Sequence, residues 1–175
     1  MYQIQISLKG STPKIWRRLQ LKSDTFLPKL HHIIQITMGW TNSHLHQFIK
    51  NKEFYGDSSL NDDFDVVDYR KIKLSAMLMK EKDKFTYEYD FGDSWEHTIL
   101  LEKILPVDSN TKYPVCIAGE MNCPPEDCGG VWGYAELLKI LGDPKHEEYE
   151  EYKEWLGDDF NPNEFDLEEI NAMLR

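Results

Sequence analysis

With 175 residues, 41% of them hydrophobic and 13% aromatic, the chain has the makeup of a single packed domain, not of a disordered or fibrous polypeptide. No apolar run approaches the ~20 residues that cross a bilayer, and the alternating start MYQIQISLKG lacks the apolar core of a secretory leader. A cytoplasmic location with three reduced cysteines is therefore expected, and a membrane is not. The net charge of −11 is concentrated at the end, where residues 143–175 hold 12 Asp/Glu against 3 Lys/Arg, while residues 1–142 hold 19 against 17. Such a balance argues against nucleic acid as a partner.

Ile4, Ile6 and Leu8 alternate with Gln3, Gln5 and Ser7, which predicts a half-buried strand over 2–8. Gly10, Ser11 and Pro13 mark a turn. A second strand over 15–21 points Ile15, Leu19 and Leu21 inward and Trp16 and Arg18 outward. Arg17 falls on the apolar side, so its guanidinium must reach solvent or a partner. A helix follows, with Ser23, Asp24 and Thr25 as candidate caps and Pro28 in its first turn. Leu30, Ile33, Ile34, Thr37 and Met38 form its core-facing stripe, His31 and Gln35 fall on the other face, and Gly39 ends it. Residues 44–49 and 53–55 are predicted to be short strands about a turn at Asn51-Lys52. The stretch 56–71 contains aspartates without the spacing of a calcium-binding EF-hand loop and reads as a polar loop. After a short helical turn at Leu74, Phe85, Tyr87, Tyr89 and Phe91 alternate with Thr86, Glu88 and Asp90. Gly92-Asp93 signals a two-residue hairpin turn into a strand over 95–105. That turn requires Gly92 at positive φ and sets Glu88 opposite His97 and Asp90 opposite Trp95.

The order β-β-α-β-β, a connector and a further hairpin resembles the β-grasp arrangement of ubiquitin. The expected class is α+β: residues 1–112 form a mixed, mostly antiparallel sheet with a helix packed across it, and residues 113–175 form an extension of the same domain. Within the extension, 113–130 reads as an ordered loop rich in Pro, Gly and Cys. A helix over about 132–141 follows, then one that presents Tyr149, Tyr152, Trp155 and Leu156 to the body. The last helix is capped by Asp166 with Glu169 and anchored by Leu167, Ile170 and Leu174.

Several long segments, IWRRL at 15–19, HLHQF at 44–48, YEYDFGDSWEH at 87–97, PVCIAGEMNCPPEDCGGVWGYAELL at 114–138, DPKHEEYEEYKEW at 143–155 and FNPNEFDLEEIN at 160–171, resemble the plasmid pRiA4b open-reading-frame-three family. The resemblance covers essentially the whole chain. It implies a prokaryotic domain, linked by name to plasmid-borne genes, with no established reaction and no catalytic residues to carry over.

Asp90, Asp93 and His97 lie in the most chemically dense stretch, where carboxylates and an imidazole could move a proton or hold a metal. A cross-strand Glu–His pair is the plainer reading. His44 and His46, two apart in a strand, would point to one side and could chelate a divalent first-row ion if His97 or a carboxylate joined them. Cys116, Cys123 and Cys128 are spaced more widely than most zinc-binding cysteines, which favours small buried thiols over a metal site. Gly129-Gly130 opens a helix but matches no phosphate-binding pattern, and Glu126 and Asp127 beside it would repel phosphate. Three functions are weighed. The first is a binding module whose aromatic sheet face and acidic extension recognise a protein or peptide partner. The second is a metal-dependent enzyme, most simply a hydrolase, using His44, His46, Asp90, Asp93 and His97. The third, association with nucleic acid on plasmids or mobile elements through Lys14, Trp16, Arg17, Arg18 and Lys22, is opposed by the charge.

Overall fold

The computed structural model describes residues 1–60, 66–157 and 159–175. The described strands are β1 (Tyr2–Leu8), β2 (Trp16–Leu21), β3 (His46–Lys50), β4 (Glu53–Gly56), β5 (Val66–Asp68), β6 (Lys84–Tyr89), β7 (Trp95–Ile104) and β8 (Val115–Glu120). They form one sheet in the order β5-β4-β3-β6-β7-β1-β2-β8. The helices are α1 (Leu27–Met38), α2 (Leu74–Met77), α3 (Gly130–Gly142), α4 (Tyr149–Leu156) and α5 (Leu167–Met173). Among the described residues no helix is long and apolar enough to cross a membrane.

The class is α+β, and every pairing but β4–β5 is antiparallel. The β-grasp order is corrected. The hairpin β6–β7, expected as an addition, occupies the middle of the sheet between β3 and β1, and the sheet has eight strands. Two of these lie in stretches expected to be loops: β5 in 56–71 and β8 in 113–130. β5 is only three residues long, and β8 buries Cys116 while leaving Ile117 exposed, so neither carries a strong alternation. Residues 61–65 of the expected loop lie outside the described residues.

Period-two patterning explains the central strands. Ile4, Ile6, Phe85, Tyr87, Tyr89, Trp95, Ile99 and Leu101 are all buried, each such burial favouring the fold by roughly 1.5–3 kcal/mol. α1 adds Leu30, Ile33, Ile34 and Met38 to this core. Its N-cap is Phe26, without a side-chain cap, so Ser23, Asp24 and Thr25 do not serve that role. His31 and Gln35, expected on the outer face, are buried as well, because both reach the hydroxyl of Tyr87, at 2.8 and 3.0 Å.

Arg17 is 2% exposed and joins three elements. Its Nε donates to the carbonyl of Thr37 at 2.7 Å, and its Nη1 donates to the carbonyls of Trp16 and Glu120, both at 2.9 Å. The last turn of α1 has no basic residue of its own, so an arginine from β2 supplies the cation that a helix C-terminus favours. The outer strand β8 is held from its other side by Asn171 of α5. The Asn171 Oδ1 accepts the Cys116 N–H at 2.9 Å, and its Nδ2 donates to the Cys116 carbonyl at 2.8 Å. An amide side chain thus stands in for a neighbouring strand and covers the edge. The N-cap of α5 is Asp166, whose side chain accepts the Glu169 N–H as expected.

Asn171→Leu is expected to remove both bonds to Cys116 and lower stability by roughly 1–3 kcal/mol. At this chain length that is a Tm lower by roughly 2–4 °C for each kcal/mol. An unchanged Tm in thermal melts would contradict the role given to Asn171.

Candidate functional site

Three loops meet at the end of β6: residues 41–45 ahead of β3, residues 90–94 between β6 and β7, and residues 122–129 leading into α3. Tyr89, the last residue of β6, joins two of them. Its hydroxyl accepts the N–H of Ser43 at 2.9 Å and of His44 at 3.3 Å, and donates to Glu126 Oε1 at 2.5 Å. The other Glu126 oxygen accepts the Thr41 hydroxyl at 2.5 Å. Burial first, then the Glu126 hydrogen bond, holds the Tyr89 phenol well above its usual range, so it stays a donor.

Tyr89 pairs with Trp95, so the β6–β7 connection has five residues and not the expected two. Gly92 does not adopt positive φ; Asp90 (φ 59) and Ser94 (φ 53) do. Aspartate tolerates this conformation because its side chain can bond its own turn, and Asp90 Oδ1 accepts the Gly92 N–H at 2.9 Å. The register shifts accordingly: Glu88 faces Glu96, and His97 faces Tyr87.

This frame sets His44 between two carboxylates. Nδ1 lies 3.7 Å from Asp90 Oδ2, and Nε2 lies 3.3 Å from Asp127 Oδ1. One ligand atom from each residue lies within 4.8 Å of the others, the only such group of three or more His, Cys, Asp or Glu among the described residues. Asp90 is buried with Oδ1 engaged by its own turn, so Oδ2 is the oxygen turned to the imidazole. The Asp127 side chain is 73% exposed. A buried acid thus lies near one ring nitrogen and an open acid near the other.

The structure brings His44 and Asp90 together and adds Asp127, which the sequence marked only as repelling phosphate. Asp93 turns to α3, where its Oδ2 accepts the Gly129 N–H at 3.1 Å. His46 does not join His44. β3 begins at His46, so strand alternation does not govern His44. The His46 ring stacks on His31 with centroids 3.4 Å apart, and its Nε2 bonds the Tyr69 hydroxyl. His97 is fully buried against Trp40 and Tyr87. Neither of its ring nitrogens makes a hydrogen bond of normal geometry, and the nearby carbonyls of Trp95 and Tyr87 only offset part of the burial. Cys116, Cys123 and Cys128 are unpaired and enter no ligand group among the described residues. Burial pushes all three thiols up, Cys128 to about 12.

Fold and site define an α+β protein with one eight-stranded mixed sheet and a histidine–carboxylate cluster where three loops meet. The chain belongs to the plasmid pRiA4b ORF-3-like family, whose model matches residues 1–169. It is similar to the uncharacterized protein y4hQ of Sinorhizobium fredii, 36% identical over 176 residues, with 98% of this chain and 89% of that one covered. It is also similar to a protein of unknown function, MM3350 from Methanosarcina mazei Go1, whose crystal structure matches at a TM-score of 0.86 and 42% identity over 95% of each chain.

Two outcomes follow from the buried polar groups. Burial lowers His31 to about 4, His46 to about 3, with help from the His31 beside it, and His97 to about 4. Their unfolded values of ~6.5 are higher, so the unfolded chain binds more protons on acidification. The stability these neutral rings contribute is complete above ~6.5 and declines as pH falls below it, by at most ~1.4 kcal/mol per pH unit for each ring. Thermal melts should show Tm falling steeply below that point, with a shallower slope in His97→Phe; an unaltered slope would contradict the assignment of His97. Tyr89→Phe should leave the Ser43 and His44 amides without an acceptor and speed their hydrogen exchange about tenfold or more, for a local loss of roughly 1–3 kcal/mol. Unchanged exchange at both amides would remove Tyr89 as the joint.

Proposed function

We propose that the chain is a divalent-metal-dependent protein of hydrolytic type, with His44, Asp90 and Asp127 as its centre. The observation that carries this reading is the approach of one ligand atom from each of three separate loops to within 4.8 Å of the others. One imidazole with carboxylate oxygens suits zinc, manganese or ferrous iron better than calcium, which prefers an all-oxygen shell. His44 Nε2 and Asp127 form the open side of the cluster. Ligation would draw them in from 3.3 Å, and the exposed Asp127 side chain has room to move. Asp90 would hold the opposite ring nitrogen, fixing the tautomer and the plane of the ring.

A bound ion with few protein ligands keeps positions open for water and substrate, where it polarises a carbonyl or phosphoryl oxygen or lowers the pKa of water. The chain supplies the rest. Tyr89 and Glu126 keep the His44 loop and the Asp127 loop in register, and the Asp90 turn keeps the orienting carboxylate from swinging away.

Calorimetric titration of protein purified without a histidine tag should show one equivalent of zinc or manganese bound. His44→Ala and Asp127→Asn should each weaken binding by about tenfold or more, while His32→Ala, at an exposed position, should leave it unchanged. Stoichiometry and affinity insensitive to both His44→Ala and Asp127→Asn would overturn the reading.

A further inference from the structure

Beside the cluster, between the 122–129 loop and α4, lies a pocket of about 240 Å³ walled by Asp127, Cys128, Glu151, Tyr152 and Trp155. The rings of Tyr152 and Trp155 meet at 80° with centroids 6.2 Å apart, so they form a corner. Trp155 was expected to face the body, yet it is 51% exposed. Helical spacing puts it on the same side as Glu151, four residues earlier. The charge of the pocket comes from the carboxylates of Asp127 and Glu151.

We propose that this pocket takes a lysine or arginine side chain from a basic segment of a partner protein, held by the Tyr152–Trp155 corner and the carboxylates of Glu151 and Asp127. Aromatic faces attract organic cations through the ring quadrupole, and flanking carboxylates add direct charge pairing. A peptide is favoured over a free amine because the attraction extends well beyond the pocket. Glu147, Glu148, Glu150 and Glu154 surround it in sequence, within a segment, 143–175, that holds 12 Asp/Glu against 3 Lys/Arg. A short cation would use the corner alone, whereas a basic segment would use the corner and the acidic helix together. The inference does not rest on the metal reading; the two share only Asp127.

The test is fluorescence anisotropy with a labelled decalysine peptide in chelator at fixed ionic strength. Circular dichroism and melts would verify that each variant is folded. Trp155→Ala and Glu151→Gln are expected to weaken binding by about fivefold or more, and Trp155→Phe should recover most of the loss. Glu53→Gln removes the same charge from an exposed position on β4, outside the acidic segment, and should change binding less than about twofold. The proposal is overturned if Glu53→Gln weakens binding as much as Glu151→Gln, since net charge alone would then attract the peptide. It is also overturned if Trp155→Ala binds like the wild type, or if tetramethylammonium binds the corner as tightly as the peptide does. Because chelator is present throughout, failure here leaves the metal titration unaffected, and failure of that titration leaves this test intact.

Discussion

The hydroxyl of Tyr89 stands where β6 ends, and three loops take their positions from it. Two backbone N–H groups of the 41–45 loop point at its oxygen, and its own proton goes to Glu126 in the 122–129 loop. A phenol in this position must find partners for both its oxygen and its proton, and these partners come from segments 45 and 37 residues away in sequence. The third loop needs no such bond, since Asp90 follows Tyr89 directly in the chain. Without this joint, His44 and Asp127 would belong to independent surface loops.

The rest of the chain keeps the joint rigid. The β6–β7 hairpin lies in mid-sheet, paired on both sides, so the end of β6 is backed by a continuous ladder. The C-terminal segment belongs to the same frame. Arg17 ties the end of α1 to β2 and β8, and Asn171 clasps β8 from α5. Beneath the sheet a polar layer of His31, His46, Tyr87 and Gln35 is almost wholly satisfied internally. A core of this kind is specific in geometry but sensitive to acid, because it relies on neutral imidazoles.

What could be read from the residues followed from short-range periodicity. The alternation in 2–8 and 85–91 and the stripe through Leu30, Ile33, Ile34 and Met38 identified β1, β6 and α1, although β6 ends at Tyr89 and Phe91 is exposed. The placement of Arg17 on an apolar face required its guanidinium to reach solvent or a partner, and it reaches three carbonyls that the sequence could not name. The loop after β6 was misjudged because Gly92 is the obvious residue for positive φ, while Asp90 and Ser94 take that conformation. His46 was grouped with His44 because the strand was expected to start at residue 44, whereas β3 begins two residues later at His46 and leaves His44 in the preceding loop. Asp127 could not be found this way: it lies in an aperiodic Pro/Gly/Cys segment, and a long-range bond from Tyr89 to its neighbour Glu126 brings it to the site.

The central claim is that His44, Asp90 and Asp127 form a centre for one divalent cation. Its most direct test is diffraction from a crystal of the full chain soaked in manganese, with data collected for anomalous scattering. The account predicts one peak within about 2.0–2.3 Å of a His44 ring nitrogen and of an Asp127 oxygen, with Asp90 at the ion or bonded to the other nitrogen. Well-ordered side chains at the three residues with no anomalous peak between them, or a peak only at His46, His97 or the cysteines, would contradict it.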